Sequence, residues 1–247
     1  MRYWILAAIL AVAPLAAQTA QPPRLSYMCS FKASTPSYVE IEVSQEGRAT
    51  FQAKIQDADP LTTLQFTAAP ALVRQLFADA DAAHDFAGPT LQSKNKVAFT
   101  GEKRLTYDDG ARHQSQMFTY TSVRPAAALV RAFQQMTSTG TDAILLRRAM
   151  NYQPLDVLSL MDRIRSDWDS HMLGSPELLA PVLRQLIASP AMMEAARNRA
   201  RKLLEAMHLP PEPVLEGCAG PPYGCRAPSA PRVWPHRVCP RLRKSCS

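Results

Sequence analysis

The chain has 247 residues and a formal net charge of +7, a length that suits one sizeable domain or two small ones. Six basic and no acidic residues lie between Gly217 and Ser247, so the rest of the chain carries 22 basic and 21 acidic side chains. A protein that binds nucleic acid concentrates positive charge on a folded face. The nearly neutral body therefore argues against a nucleic-acid partner.

Residues 1–20 have the pattern of a secretory signal peptide. Arg2 supplies a positive start, residues 4–17 form a nearly continuous apolar run, and small residues follow before Pro22-Pro23. The run is shorter than the roughly 20 residues that a membrane-spanning helix needs. We expect Sec-type export and removal of this segment, with cleavage after Ala17 and after Ala20 both open. The mature protein is then periplasmic or secreted, has no transmembrane segment, and can form disulfides.

An α+β domain is predicted over residues 24–138. Residues 38–43 alternate apolar and polar side chains, the turn signal Glu46-Gly47 follows, and the alternation resumes over residues 51–55, which predicts a β-hairpin. Leu64 and Phe66 fit a third strand. The order then becomes helix, hairpin, helix: a helix over 70–83, strands over 96–101, 104–107 and 112–120 with the turn signal Asp108-Asp109-Gly110, and a helix that Pro125 opens.

The segment 139–209 reads as helical throughout. Thr141 is suited to cap a first helix and Pro154 to open a second. Ser175-Pro176 and Ser189-Pro190 each place a capping residue before a proline, which predicts two more helices. The expected architecture is therefore a small antiparallel sheet with two helices, followed by a four-helix segment.

The tail, residues 210–247, is rich in proline, arginine and cysteine and has no apolar periodicity. Such a composition favours disorder, because it buries too little surface to offset the entropy of ordering. The same composition is also typical of a shifted reading frame in GC-rich DNA. Its four cysteines are candidates for disulfide bonds, and they can pair in three ways: Cys218, Cys225, Cys239 and Cys246. Their spacing disfavours a zinc site. Cys29 is then left as an odd thiol.

The other candidate chemistry is sparse. Asp81, His84 and Asp85 would share a helix face, and carboxylate with imidazole can hold a divalent cation, although a solvated helix end is the favoured explanation. Glu40 and Glu42 share a strand face, as acid/base carboxylates do, but a solvent-facing strand is the simpler explanation. No nucleophile-elbow, zinc-protease or phosphate-binding glycine motif occurs in the sequence, so no cofactor is expected.

The order of strands and helices resembles a family of uncharacterised bacterial extracytoplasmic domains, often found in lipoproteins. The resemblance covers residues 29–136 and rests on the stretch Pro36–Ile41, the turn Glu46-Gly47, the helix that contains Leu72–Phe77, and the hairpin at Asp109-Gly110. Members of this family often carry a second cysteine where this chain has Thr35. The resemblance implies an α+β fold and an extracytoplasmic location, and it implies no activity.

These observations favour a non-enzymatic protein-binding or scaffold module of the cell envelope, whose partner is a protein or an envelope component. The alternative is an extracytoplasmic hydrolase or metal-dependent enzyme, with a site assembled around His84, Asp81 and Asp85. A third possibility is an envelope structural protein whose basic tail contacts an anionic polymer.

Overall fold

A computed structural model describes residues 21–32 and 34–210. It contains one antiparallel six-stranded sheet and five α-helices, so the α+β prediction is confirmed. The strands are β1 (Arg24–Ser30), β2 (Tyr38–Ser44), β3 (Arg48–Lys54), β4 (Thr62–Thr67), β5 (Glu102–Asp108) and β6 (His113–Phe118). Their order in the sheet is β4-β3-β2-β1-β5-β6. No helix in the described part of the chain is long and apolar enough to cross a membrane.

One of the two central strands is β1, where the sequence predicted no strand. It pairs with β2 on one side and with β5 on the other, so that Tyr27 lies opposite both Ile41 and Leu105. Tyr27 and Leu25 are each 1% exposed and alternate with the partly exposed Arg24 and Ser26. This alternation is the two-residue period of a half-buried strand, but the apolar Met28 on the other face obscures it.

Two helices cover one face of the sheet. They are α1 (Pro70–Ala82) and α2 (Arg124–Tyr152), and each has a proline in its first turn, where the missing N–H has no intrahelical partner to lose. The ring of Phe133 on α2 stacks on Tyr27 with centroids 5.2 Å apart. The apolar side chains of all six strands and both helices therefore form one buried cluster.

Helix α2 is one helix of 29 residues, whereas the sequence pattern predicted a new helix capped by Thr141. Residues 139–144 are all buried, since the sheet lies on one side of them and the C-terminal helices on the other. Gly140 does not interrupt the helix. An added Cβ there would lie 2.5 Å from the Phe51 ring, so glycine is what allows helix and sheet to approach so closely. The domain boundary predicted at residues 138–139 falls within this helix.

Three further helices follow α2, one fewer than the four predicted for the segment 139–209. They are α3 (Asp156–Asp169), α4 (Ala180–Ala188) and α5 (Glu194–Ala206), and they pack around a second buried cluster with the C-terminal half of α2. The predicted caps are wrong: Ser175 precedes only a 3₁₀ turn (Pro176–Leu178), and α5 begins four residues after Pro190. Neither Ser175 nor Met193, the residue before α5, makes a side-chain capping bond.

The predicted strand over residues 96–101 is absent, because the exposed segment before β5 has no strand partner among the described residues. The edge of β6 is covered instead by residues 87–95. Gln116 on β6 donates its amide to the carbonyl oxygen of Phe86 at 2.8 Å and accepts the Leu91 N–H at 2.7 Å. The predicted signal peptide and tail lie outside the described residues.

Candidate ligand-binding face of the sheet

The second face of the sheet is polar and open in the described part of the chain. Antiparallel register places the alternate residues of all six strands on this face, and every one of them except Ser44 is at least partly exposed. Across the middle strands these residues are Arg24, Ser26, Met28 and Ser30 on β1, Tyr38, Glu40, Glu42 and Ser44 on β2, and Arg48, Thr50, Gln52 and Lys54 on β3. A sheet with one helix-covered face and one polar face leaves that polar face available to ligands.

A groove of about 630 Å³ lies at one end of this face, between the starts of β1 and β3 and the ends of β2 and β4. Two cations and one anion line it, namely Arg24, Arg48 and Glu42, with hydroxyl and amide groups from Thr50 and Gln65 beside them. The groove therefore offers both hydrogen-bond donors and acceptors, which a polar ligand requires.

The two arginines of the groove differ in how firmly they are held. The Arg24 guanidinium lies 3.4 Å from Glu42 and 3.1 Å from Asp108, so it is shared by two carboxylates. Among the described residues, Arg48 pairs only with Glu46, two residues away, and its side chain is 74% exposed. Exposed ion pairs of this kind contribute roughly 0–1 kcal/mol, so Arg48 exchanges partners at little cost.

Glu40 and Glu42, which shared a strand face by sequence, do lie on this open face. They border a small depression of about 150 Å³ together with Thr50 and Gln52. The Tyr38 hydroxyl donates a 2.7 Å hydrogen bond to Glu40, and burial together with this bond raises the pKa of Tyr38 to about 12. A phenol that stays protonated and donates to the carboxylate makes Glu40 a fixed acceptor of the face.

The metal candidates Asp81, His84 and Asp85 are not arranged as ligands. Helix α1 ends at Ala82, so the helical spacing on which their common face depended does not extend to residues 84 and 85. Those two residues lie in a 3₁₀ turn with positive φ, and Asp85 pairs with Arg112 at 3.1 Å. No group of three or more His, Cys, Asp or Glu within the described residues is placed to hold a metal ion.

Cys29 lies directly opposite Lys103 in the pairing of β1 with β5, on the helix-covered face. Lys103 is 4% exposed, and its ammonium donates to the carbonyl oxygen of Thr100 at 2.9 Å and to that of Thr119 at 3.0 Å. Burial lowers the pKa of Lys103. The ammonium thus ties the segment before β5 to the end of β6, a role that the charge pattern of the sequence did not reveal.

A second polar cavity, of about 340 Å³, lies between the β1–β2 loop and helices α2 and α3, and sequence reasoning missed it. Asp142 on α2 is 5% exposed and accepts a hydrogen bond from Arg163 on α3. Burial raises the pKa of Asp142, while the Arg163 guanidinium opposes that rise. The pair joins two helices, and the only hint in the sequence is an aspartate among the apolar positions of α2.

The disulfide candidates Cys218, Cys225, Cys239 and Cys246 lie outside the described residues, so their pairing stays a prediction.

Comparison with protein-family models gives no match for this chain, and comparison with curated proteins gives none. The resemblance to extracytoplasmic domains likewise stays a prediction.

Proposed function

We propose that the protein is a non-enzymatic binding module of the extracytoplasmic space, and that its open sheet face binds a polypeptide segment of a partner. The observation that carries this proposal is the polar face, which no described helix covers and whose groove holds a highly exposed arginine, Arg48. We propose that this arginine pairs with a carboxylate of the partner segment. Guanidinium–carboxylate pairs are often bidentate, so they fix orientation as well as add affinity.

The groove chemistry supports a polypeptide. Thr50, Gln65 and Thr67 present hydroxyl and amide groups along it, and these groups suit the N–H and C=O groups of a main chain. Among the groove charges, Arg24 is already shared by Glu42 and Asp108. Attraction for an acidic segment therefore rests on the exposed Arg48, which can exchange Glu46 for a carboxylate of the partner. Complementary charge of this kind chiefly increases association rate and specificity.

The enzymatic alternative has less support. It required His84, Asp81 and Asp85 to form one site, but helix α1 ends at Ala82, and Asp85 pairs with Arg112 at 3.1 Å. A general base needs a positioned proton partner within about 3 Å in a substrate site. No cavity described above brings these groups together.

The test begins with capture of partners from the envelope fraction on the tagged protein and identification by mass spectrometry. Each captured candidate is then purified, and its affinity is measured by isothermal titration calorimetry with the wild type, with Arg48→Glu, and with Arg74→Glu as a matched control. Arg74 is an exposed arginine on α1, which lies on the opposite side of the sheet. Because both variants replace an arginine by glutamate, they carry the same net charge.

We expect Arg48→Glu to weaken binding at least tenfold, about 1.4 kcal/mol, and Arg74→Glu to leave it unchanged. Equal binding by all three proteins, or no envelope component that binds directly, would overturn the proposal. The location is tested separately by cell fractionation and N-terminal sequencing. We expect the exported protein to begin at Gln18 or Gln21, and an uncleaved cytosolic chain would refute the location.

A further inference from the structure

The cavity between the β1–β2 loop, α2 and α3 is lined by polar groups from both helices. Thr137, Thr141 and Leu145 follow one another at intervals of four residues on α2. Arg163 and Asp167 have the same spacing on α3. Residues at this spacing share one face of a helix, so each helix contributes one face to the cavity. Its volume of about 340 Å³ suits a small molecule, and it shares no lining residue with the groove of the open sheet face.

The Thr141 hydroxyl is an unsatisfied polar group in the wall of this cavity. Thr141 is 7% exposed, and its Oγ1 has no hydrogen-bond partner within the described residues. One turn earlier, Thr137 donates its hydroxyl proton to the carbonyl oxygen of Phe133 at 2.9 Å. Thr141 makes no such bond to its own helix. A buried hydroxyl without a partner costs free energy, so a polar group bound in the cavity would stabilise it.

Negative charge exceeds positive charge in this cavity. The Asp142 carboxylate accepts a hydrogen bond from Arg163, so one carboxylate is balanced by a guanidinium. Asp167 is partly buried and forms no ion pair with any other residue that the structure describes. Burial chiefly, and the nearby Asp167 charge in addition, raise the pKa of Asp142. The cavity therefore keeps one carboxylate charge without a counter-ion, which favours a cation as its ligand.

The lining groups suit an ammonium ion better than a metal ion. Two carboxylates and the Thr141 oxygen accept hydrogen bonds, and an alkylammonium group has three N–H donors and no acceptor. Calcium takes six to eight oxygen ligands, and the Arg163 guanidinium at one of the two carboxylates repels a divalent ion. Pro36 and Leu145 add apolar surface to the wall, against which a short hydrocarbon chain can pack.

We infer that this cavity binds a small organic cation, whose primary ammonium group donates hydrogen bonds to Asp142, Asp167 and Thr141. The ligand supplies the missing positive charge and a partner for the unsatisfied hydroxyl. Arg163 holds the Asp142 carboxylate in place beside it. Hydrogen bonds between charged groups are the stronger ones, so the carboxylates supply most of the affinity.

Three probes of similar size test the chemistry of the ligand. Backbone amide shifts of the ¹⁵N-labelled protein are followed by NMR in amine-free buffer at pH 7 and constant ionic strength, up to about 50 mM probe. We expect n-butylammonium to bind with a Kd of about 1 mM, as suits so small a ligand, and to shift amides of α2, α3 and the β1–β2 loop. 1-Butanol lacks the charge and tetramethylammonium lacks N–H donors, so each should bind at least about tenfold more weakly.

Substitutions on the two helices test the site. Asp167→Asn removes the carboxylate charge that has no counter-ion and should weaken n-butylammonium binding at least about tenfold. The matched control is Asp169→Asn, since Asp169 lies on the same helix, pairs with Arg165 and does not line the cavity. Its affinity should stay within about twofold of wild type. Thr141→Val removes the unsatisfied hydroxyl and should weaken binding at least about threefold without lowering the melting temperature of the free protein.

The absence of shifts at the cavity up to about 50 mM n-butylammonium would overturn the inference. So would equal binding of 1-butanol or tetramethylammonium, or tighter binding of Ca²⁺ in the same titration. Equal affinities of Asp167→Asn and Asp169→Asn, or an affinity that Thr141→Val leaves unchanged, would overturn it as well.

Discussion

Replacing Gly140 by alanine tests the close contact between α2 and the sheet. The added Cβ would lie 2.5, 2.5 and 2.7 Å from three carbons of the Phe51 ring, whose residue is 0% exposed. Carbon atoms pack at roughly 3.5–4.0 Å, so ring and helix must separate by about 1 Å. Overpacking costs about 1–3 kcal/mol, and the enclosed ring places this site at the upper end. Alanine recovers about 1 kcal/mol of helix propensity, which leaves a net loss of about 2 kcal/mol.

Urea unfolding measures this loss as a lower midpoint at an unchanged slope. The matched control is Gly88→Ala, where the nearest side-chain atom lies 3.8 Å from the new Cβ, and we expect its stability to stay within about 0.5 kcal/mol of wild type. The double variant Phe51→Leu/Gly140→Ala should lose about 1 kcal/mol less stability than the sum of the losses of the two single variants, because the smaller side chain leaves room for the new Cβ. The reasoning is refuted if Gly140→Ala is as stable as the wild type or more stable.

Three further predictions concern buried or hydrogen-bonded charges. Arg163→Ala should destabilise the protein by about 2 kcal/mol at pH 7, because the buried Asp142 carboxylate loses its hydrogen-bond donor. Without the guanidinium, the folded-state pKa of Asp142 rises further above its ordinary 3.8. The folded variant then holds a proton that the unfolded chain releases, so its stability falls as pH rises from 3.8 through the raised pKa. Thermal melts should therefore show a smaller loss at pH 4 than at pH 7. An equal loss at both pH values would contradict this. Lys103→Met should cost about 2–3 kcal/mol in urea unfolding, because two carbonyl oxygens lose their donor, and an unchanged midpoint would count against it. Backbone and guanidinium hydrogen bonds from Arg112 hold the pKa of Asp109 at about 2, so its stabilising contribution persists above pH 3.8 and is lost as pH falls toward 2. A carboxyl NMR titration with a midpoint near 3.8 would contradict that prediction.

Much of the sheet domain follows from local pattern. The β2–β3 hairpin, the helix that Pro70 opens and the turn at Gly110 were all predicted, because alternation, helical proline and glycine turns are local signals. Glu40 and Glu42 were also placed correctly on one solvent-facing side. Their common face needs only the two-residue period of a strand.

Other features depended on contacts between distant residues. The predicted strand over residues 96–101 has a suitable alternation, but a strand forms only where a neighbour supplies hydrogen bonds, and the described sheet supplies none there. Thr141 suits a helix cap by residue type, but the buried surroundings of α2 keep the helix continuous through it. The common face predicted for Asp81, His84 and Asp85 required a helix that continues through residue 85, but α1 ends at Ala82.

By itself, the sequence determined the fold class, the hairpins and the near-neutral body, because periodicity, turn residues and charge are properties of neighbouring residues. Only the tertiary structure decided that β1 lies in the middle of the sheet and that one face stays open and polar in the part of the chain that the structure describes. It alone brought Lys103 to the Thr119 carbonyl and Asp142 to Arg163. The two contacts join residues that are separated by 16 and by 21 positions along the chain. No local pattern specifies such pairs, because they are selected by which side chains become buried together when the elements pack.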